Sequence, residues 1–485
     1  MPSIIKKTGS RKKDAYRKKA FIKKSSIKNS EKLIQPYPFS TADSLKRMLD
    51  KFEKNGRAQN ISFRKLVHWI KVGERATHYL HRYPAKMLPQ IAHFFLAAPS
   101  LTQANDIVLD PFGGTGTVAL ETILSGKSPL YSEVNPLAQL IARSKTEPLK
   151  DKKLTEAFKR IKIRFANRKR GYTPSPPSVV NIDYWYPKKT IQGLCHIKEA
   201  ILSEKNRKIR DFFLTSFSGT CTKVSRADPR LSVPVLEKNH AIDNMTVAKV
   251  WDKFKDQVTS NFERMKKYNV LLGKKAHQKL ALAGNDAKKL NAPNKKGRLK
   301  AGCVSLIITS PPYAGAQKYI RASSLNLGWL GLAKKNELKP LENASIGREH
   351  FMRQSYVVCP STKISTANKL IKKVFLKNPL RSIIISTYLN EMDAALKEMA
   401  RVLKPGGHLV LVIGNNIVCG MPFKSSEYLL EICKRHGLTL RLKLIDEIKS
   451  RGLMTKRNKT ASVITREWVL LMQKPKIQKK PTKKN

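Results

Sequence analysis

The stretch Asp106-Ile107-Val108-Leu109-Asp110-Pro111-Phe112-Gly113-Gly114-Thr115-Gly116-Thr117 runs from an apolar strand, through a glycine-rich turn, into the start of a helix. Glycines let the backbone come close to a bound group, and a helix that begins near Thr117 points free amides at any anion held there. The turn alone also suits a dinucleotide, a nucleotide phosphate or no ligand at all. The next residues of the chain narrow the reading. An apolar helix (Val118, Ala119, Leu120, Ile123, Leu124) stops at Gly126, and a second strand ends in Leu130-Tyr131-Ser132-Glu133-Val134-Asn135-Pro136. An acid about 20 residues past such a turn is where doubly wound folds grip a ribose diol, which makes Glu133 the candidate. A third short strand, Leu280-Ala281-Leu282-Ala283-Gly284-Asn285-Asp286, ends in an acid able to accept from an adenine amine. Taken singly, Glu133 and Asp286 are equally good as helix caps; in this order they read as turn, ribose acid and adenine acid.

The run Val304-Ser305-Leu306-Ile307-Ile308 reads as a buried strand, and Thr309-Ser310-Pro311-Pro312-Tyr313 stands at its carboxyl end. Two adjacent prolines donate no backbone hydrogen bonds and hold the peptide extended, with its carbonyls free for a ligand. An exocyclic amine on a nucleobase is a poor nucleophile because its lone pair is delocalised into the ring. Ser310 and the Pro311 carbonyl, both accepting from such an amine, are suited to localise and aim that lone pair, with Pro312 stiffening the turn and Tyr313 stacking on a flipped base. Ser310 has no His-Asp arrangement beside it and is not read as a nucleophile.

These two motifs resemble those of the amino-methylating DNA methyltransferases. The Ser-Pro-Pro-Tyr form is typical of members acting on cytosine N4, whereas adenine-N6 members more often carry Asp or Asn in the first position. The segment His81-Arg82-Tyr83-Pro84-Ala85-Lys86-Met87-Leu88-Pro89 is similar to the element that precedes the glycine-rich strand in that family. The resemblance implies S-adenosylmethionine as cofactor, with His81, Tyr83, Pro84 and Lys86 toward its methionine end. Asp110 to Thr117 form the loop, and Glu133, Asn135, Asn285 and Asp286 lie along its nucleoside. His81 beside Arg82 and Tyr83 reads equally well as a hydrogen-bonded surface residue. Tyr319-Ile320-Arg321 and Leu327-Gly328-Trp329-Leu330-Gly331 also look like family sequence, and the resemblance covers roughly 78–145, 279–331 and 381–474.

Alternating helices and strands continue to the carboxyl end. Leu396, Met399, Ala400 and Leu403 have helical spacing from Glu391, and Lys404-Pro405-Gly406-Gly407 ends that helix. The strand His408 to Ile413 comes next, then a helix through Tyr428, Leu429, Leu430, Ile432 and Cys433, and strand candidates at Leu438–Leu444 and Val463–Met472. This order predicts an α/β, three-layer doubly wound sheet. The family's Rossmann-like methyltransferase fold implies seven mostly parallel strands with a reversed edge strand, here carrying a helical insertion. Expected boundaries are a basic arm over 1–40, core segments over 41–145, 279–331 and 381–474, insertions over 146–278 and 332–380, and a basic tail over 475–485.

The formal net charge is +60, from 95 Lys+Arg against 35 Asp+Glu, far beyond what solubility needs. A solvated basic surface is one explanation; beside a base-flipping site, a phosphate backbone is the better one. The expected partner is double-stranded DNA, with a cognate restriction endonuclease as a further candidate. RNA, with a base methylated there instead, and a catalytically idle DNA-binding protein stand as alternatives. The 146–278 insertion has Trp185, Leu194, Ile197, Ile201, Ile209, Phe212, Phe213 and Leu214 for a small core and Lys223, Arg226 and Arg230 for phosphates, so it is favoured over the Lys-rich 332–380 segment for target recognition. Six cysteines without C-x-x-C spacing, and no apolar stretch of spanning length, lead to the expectation of an intracellular, cytoplasmic, nucleoid-associated protein with no metal site. In a eukaryote the basic arms suit a nuclear address.

Overall fold

A computed structural model describes residues 40–71, 75–84, 86–169, 171–237, 242–273, 277–293, 297–315, 318–448 and 464–476. The basic arm, apart from Ser40, and the tail beyond Lys476 lie outside the described residues, as does Ala85.

The strands are β1 (Gln59–Ile61), β2 (Ile107–Asp110), β3 (Ser128–Tyr131), β4 (Ala281–Leu282), β5 (Val304–Thr309), β6 (Leu403–Ile413), β7 (Asn416–Val418), β8 (Met421–Phe423), β9 (Thr439–Glu447) and β10 (Arg466–Gln473). Helices of eight residues or more are α1 (Ala42–Asn55), α2 (Pro89–Leu96), α3 (Thr117–Leu124), α4 (Pro136–Thr146), α5 (Asp151–Ala166), α6 (Lys188–Leu202), α7 (Arg207–Lys223), α8 (Val247–Leu272), α9 (Tyr319–Leu330), α10 (Ser365–Lys377), α11 (Pro379–Val402) and α12 (Ser425–Arg435).

Eight strands form one sheet in the order β1-β9-β10-β6-β5-β2-β3-β4, parallel except for β10, which runs antiparallel to both β6 and β9. Helices cover both faces, so the central strands read as continuous apolar runs, and every residue of β5 is buried. The two-residue side-chain period then sorts them. Leu109, Ile307, Leu409 and Leu411 join the core beneath α11 and α12, while Val108, Leu306, Ile308, Val410 and Val412 join the core beneath α2.

Two expectations about the sheet are corrected. It has eight strands rather than seven, because Gln59–Ile61 pairs in parallel with Leu444–Asp446 and covers the outer edge of β9. The reversed strand is not at the edge but between β6 and β9, where Trp468 to Gln473 bond on both sides. The helix expected from Glu391 begins at Pro379, capped by the Asn378 side chain, which accepts from the Arg381 amide at 3.0 Å. Lys404 to Gly407 do not separate helix from strand but form the bulged start of β6. There Gly406 takes φ +78° and its amide donates to the Lys474 carbonyl at 2.8 Å.

Helices α5 to α8 pack around a block of stacked and edge-on rings, Phe158, Phe212, Phe213, Trp251, Phe254 and Phe262. Phe212 and Phe213 are fully buried. Two cations expected to face phosphates are paired at home: Arg226 donates to Asp243 at 2.7 Å and Arg230 to Asp228 at 2.7 Å.

Candidate functional site

The carboxyl ends of β4, β3, β2 and β5 stand side by side, and the chain leaving them lines one cavity of about 930 Å³, open space toward solvent included. The floor is the glycine-rich turn. Gly113 is required because a Cβ there would lie 2.6 Å from the Tyr131 ring, and Gly116, at φ +74°, because a Cβ would lie 3.0 Å from that of Ala142 on α4. The turn can therefore lie flat on β3 and start α3 close against α4.

Asp110 ends β2, nearly buried, and accepts from the Thr309 hydroxyl at 2.7 Å and the Phe112 amide at 3.1 Å. Farther back along the same two strands, the Ser305 hydroxyl donates to Asp106 at 2.6 Å. These two bonds lock β5 to β2, and so fix Ser310 relative to the turn. Burial pushes the Asp110 carboxyl up to about 7, against the opposing pull of its Thr309 and Phe112 donors. Glu133 accepts from the Gly114 amide at 2.8 Å with one oxygen and from the Asn135 amide at 2.8 Å with the other. Burial raises it too, less the effect of those two amides. Asn135 caps α4 by accepting from the Leu137 amide, while its amino group donates to the Tyr83 hydroxyl at 3.0 Å and Ser323 at 3.1 Å. Tyr83 in turn stacks on Tyr319 with ring centroids 6.4 Å apart. Asp286 accepts from the Lys288 amide at 2.9 Å and keeps its carboxylate near solvent, its side chain 44% exposed.

Of the residues singled out in the sequence, Tyr83, Lys86, Asp110, Pro111, Phe112, Gly113, Gly114, Thr115, Thr117, Glu133, Asn135, Asn285, Asp286, Ser310 and Pro312 line the cavity. His81, Pro84, Gly116, Pro311 and Tyr313 do not. The His81 Nε2 meets the Ser218 hydroxyl of α7 at 2.9 Å, and its backbone carbonyl accepts from Lys86. Tyr313 donates to Glu467 on the reversed strand at 2.9 Å, and its ring passes close to Gly414. Burial, with that carboxylate adding to it, holds the Tyr313 phenol well above its usual range.

Other lining residues were not anticipated. Met87, Ser132, Val134 and Tyr319 complete the walls, and Ala344, Ser345 and Ile346 come from the 332–380 insertion to close one side. Gly347, next along, is held at φ +84° with the Tyr313 carbonyl 3.1 Å from where a Cβ would stand, so the segment lies directly on the Pro-Pro-Tyr turn. On α3, Glu121 is fully buried and accepts from Arg75 at 2.6 and 2.7 Å and from His78 at 2.8 Å. No helix among the described residues is long and apolar enough to cross a membrane, and no group of three or more His, Cys, Asp or Glu among them is placed to hold a metal.

Type II methyltransferase M.MvaI of Kocuria varians is 24% identical to this chain over 431 residues, which span 82% of the chain and 91% of that protein. The chain is thus similar to a type II methyltransferase over most of its length. Type II methyltransferase M.MjaII of Methanocaldococcus jannaschii is 28% identical over 96 residues, 20% of this chain and 17% of its own length. A solved SAM-dependent methyltransferase from Methanosarcina mazei aligns over 81% of this chain and all of its own, at 11% identity and a TM-score of 0.29. No protein-family model matches the chain.

Proposed function

We propose that this protein is a site-specific DNA methyltransferase that moves a methyl group from S-adenosylmethionine to the exocyclic amine of a flipped base, cytosine N4 ahead of adenine N6, within a restriction-modification system. One observation carries the reading: the glycine-rich turn and the Ser310-Pro312 turn are walls of the same cavity. The similarity to type II methyltransferases over most of the chain supports it.

The polar groups that line the cavity support that cofactor. In this reading Glu133 takes the ribose diol, Asp286 and Asn285 the adenine, Asp110 the ammonium and Lys86 the carboxylate, all of them residues that line the cavity. S-adenosylmethionine, when bound, supplies an electrophilic methyl on a sulfonium. The chain's own contribution is orientation and electrostatics. Ser310, fixed by the Thr309–Asp110 bond behind it, and the Pro311 carbonyl accept from the target amine and offset the positive charge that grows on its nitrogen. Tyr313, tethered to Glu467, supports a base that has left its stack. No covalent enzyme intermediate is needed.

The basic surface and terminal arms serve the phosphate backbone, and α5 to α8 with the 332–380 segment are the candidates for reading sequence. Ser310→Ala tests the orienting role: methylation of DNA should fall by about a hundredfold, on the scale of a lost oriented donor or acceptor, with cofactor affinity unchanged. A Ser310→Ala protein working at the full rate would remove that role.

A further inference from the structure

Lys145 is the most anomalous side chain near the cavity. It sits in the last turn of α4 with none of its surface exposed, and its Nζ donates to the Thr115 hydroxyl at 3.3 Å from behind the glycine-rich turn. No carboxylate among the described residues is paired with it. Its backbone is clamped, since the Thr77 hydroxyl donates to its carbonyl at 2.6 Å and the Tyr268 hydroxyl to that of Thr146 at 2.8 Å. A lysine serving only the helix C-terminus would keep its ammonium in water on a long stem. This one is turned inward against a residue that lines the cavity.

The groups that face it are few. Lys86, half-buried in the cavity wall, is the charge that acts on it, and the buried rings of His78 and His81 lie within its field. Glu121, hydrogen-bonded to His78, is already committed to Arg75. Lys86 in the cavity wall and Lys145 behind Thr115 are therefore close enough to act on one another, with no carboxylate of the described residues paired to Lys145.

We infer that Lys145, acting through Thr115, and Lys86, acting directly, form the counter-charge for the carboxylate at the amino-acid end of the cofactor. This rests on the function proposed above. It makes Lys145 a positioning and charge-compensating residue rather than one that touches the methyl group. Burial, with Lys86 adding to it, holds the Lys145 ammonium well below its usual range, and burial brings Lys86 down to about 7. The Lys86 amine is then largely neutral in the free protein at mildly alkaline pH, burial disfavours the charged form of Lys145 in the same direction, and an arriving carboxylate favours protonation of both. Cofactor binding is thereby coupled to proton uptake.

The test is titration calorimetry of the full-length protein at about pH 8 in two buffers of different ionisation enthalpy, where Asp110 is already mostly ionised in either protein. The probes are S-adenosylmethionine and 5′-methylthioadenosine, which keeps the nucleoside but has no carboxylate. Lys145→Met should bind S-adenosylmethionine about tenfold more weakly, as expected for loss of a buried counter-charge that acts through Thr115 rather than by touching the ligand. It should take up fewer protons than the unaltered protein on binding S-adenosylmethionine, and bind 5′-methylthioadenosine unchanged. Its melting temperature should rise, because a buried unpaired amine has been replaced by an apolar side chain. Unchanged affinity for S-adenosylmethionine, or equal weakening of both ligands, would overturn the inference. Failure of the unaltered protein to bind either ligand would instead overturn the proposed function on which it rests.

Discussion

Asp110→Asn separates the stability of the site from its use. The Asp110 carboxyl is raised to about 7 chiefly by burial, against an ordinary value of 3.8 in the unfolded chain. A group whose folded value is raised in this way binds its proton more tightly in the folded state. Folding stability therefore declines as pH rises from the unfolded value to the folded one, and levels off above it. Between pH 5 and pH 8 that decline spans about two pH units, or roughly 3 kcal/mol at 1.36 kcal/mol per unit. Asparagine keeps an oxygen for the Thr309 hydroxyl and the Phe112 amide but cannot ionise. Relative to the unaltered protein, Asp110→Asn should thus gain about 3 kcal/mol more at pH 8 than at pH 5, while losing affinity for S-adenosylmethionine. Reversible urea unfolding of both proteins at the two pH values measures the first quantity, and calorimetry the second. The comparison is a difference of differences, so the titration of groups that do not interact with Asp110 cancels; Glu133, whose charge acts on Asp110, adds a smaller effect of its own. A stability difference that stays flat between pH 5 and pH 8 would refute the claim that Asp110 is a penalised buried acid.

Glu121→Ala should cost about 3–5 kcal/mol, because it removes the buried carboxylate that pairs with Arg75, itself only 10% exposed; chemical denaturation measures it. Burial alone would raise Glu121, but Arg75 with the hydrogen bonds of His78 and His93 outweighs it and holds the carboxyl well below its usual range. Its contribution is therefore present above its unfolded value and lost as pH falls through its folded one, so the deficit of Glu121→Ala should shrink in acid. Glu133→Gln should weaken binding of S-adenosylmethionine by about tenfold, the worth of one charge-assisted hydrogen bond to a diol, and equilibrium dialysis reads it. Tyr313→Phe frees the ring from Glu467; methylation of duplex DNA should slow while cofactor affinity holds, as single-turnover and binding assays will show.

The parts of the site that were legible in the sequence are the parts carried by adjacent residues. Asp110 to Thr117, Glu133, Asn285 with Asp286, and Ser310 with Pro312 each sit at the end of a strand whose apolar run announces it, and the parallel order of β4, β3, β2 and β5 brings those ends together. What escaped depends on pairs far apart in the chain. Nothing local marks Lys145 as buried, since its neighbours Arg143 and Glu147 are charged residues in an ordinary last helical turn. Glu121 is buried through Arg75 and His78, which lie more than 40 residues away in the chain. Ser345 and Ile346 lie in a lysine-rich stretch without periodicity, and only the approach of Gly347 to the Tyr313 carbonyl puts them over the site. The eighth strand is three residues long, too short for an alternation to show, and the reversed strand's neighbours are set by register rather than by composition.

The central claim is that one cavity joins a methyl donor to a nucleobase amine. Purified protein incubated with S-adenosylmethionine carrying a tritiated methyl group and with separate DNA and RNA pools, followed by nucleoside mass spectrometry, tests it most directly. The account predicts label in DNA as N4-methylcytosine, with N6-methyladenine moving the enzyme to its sister specificity; label confined to RNA, or none in either polymer, would contradict it.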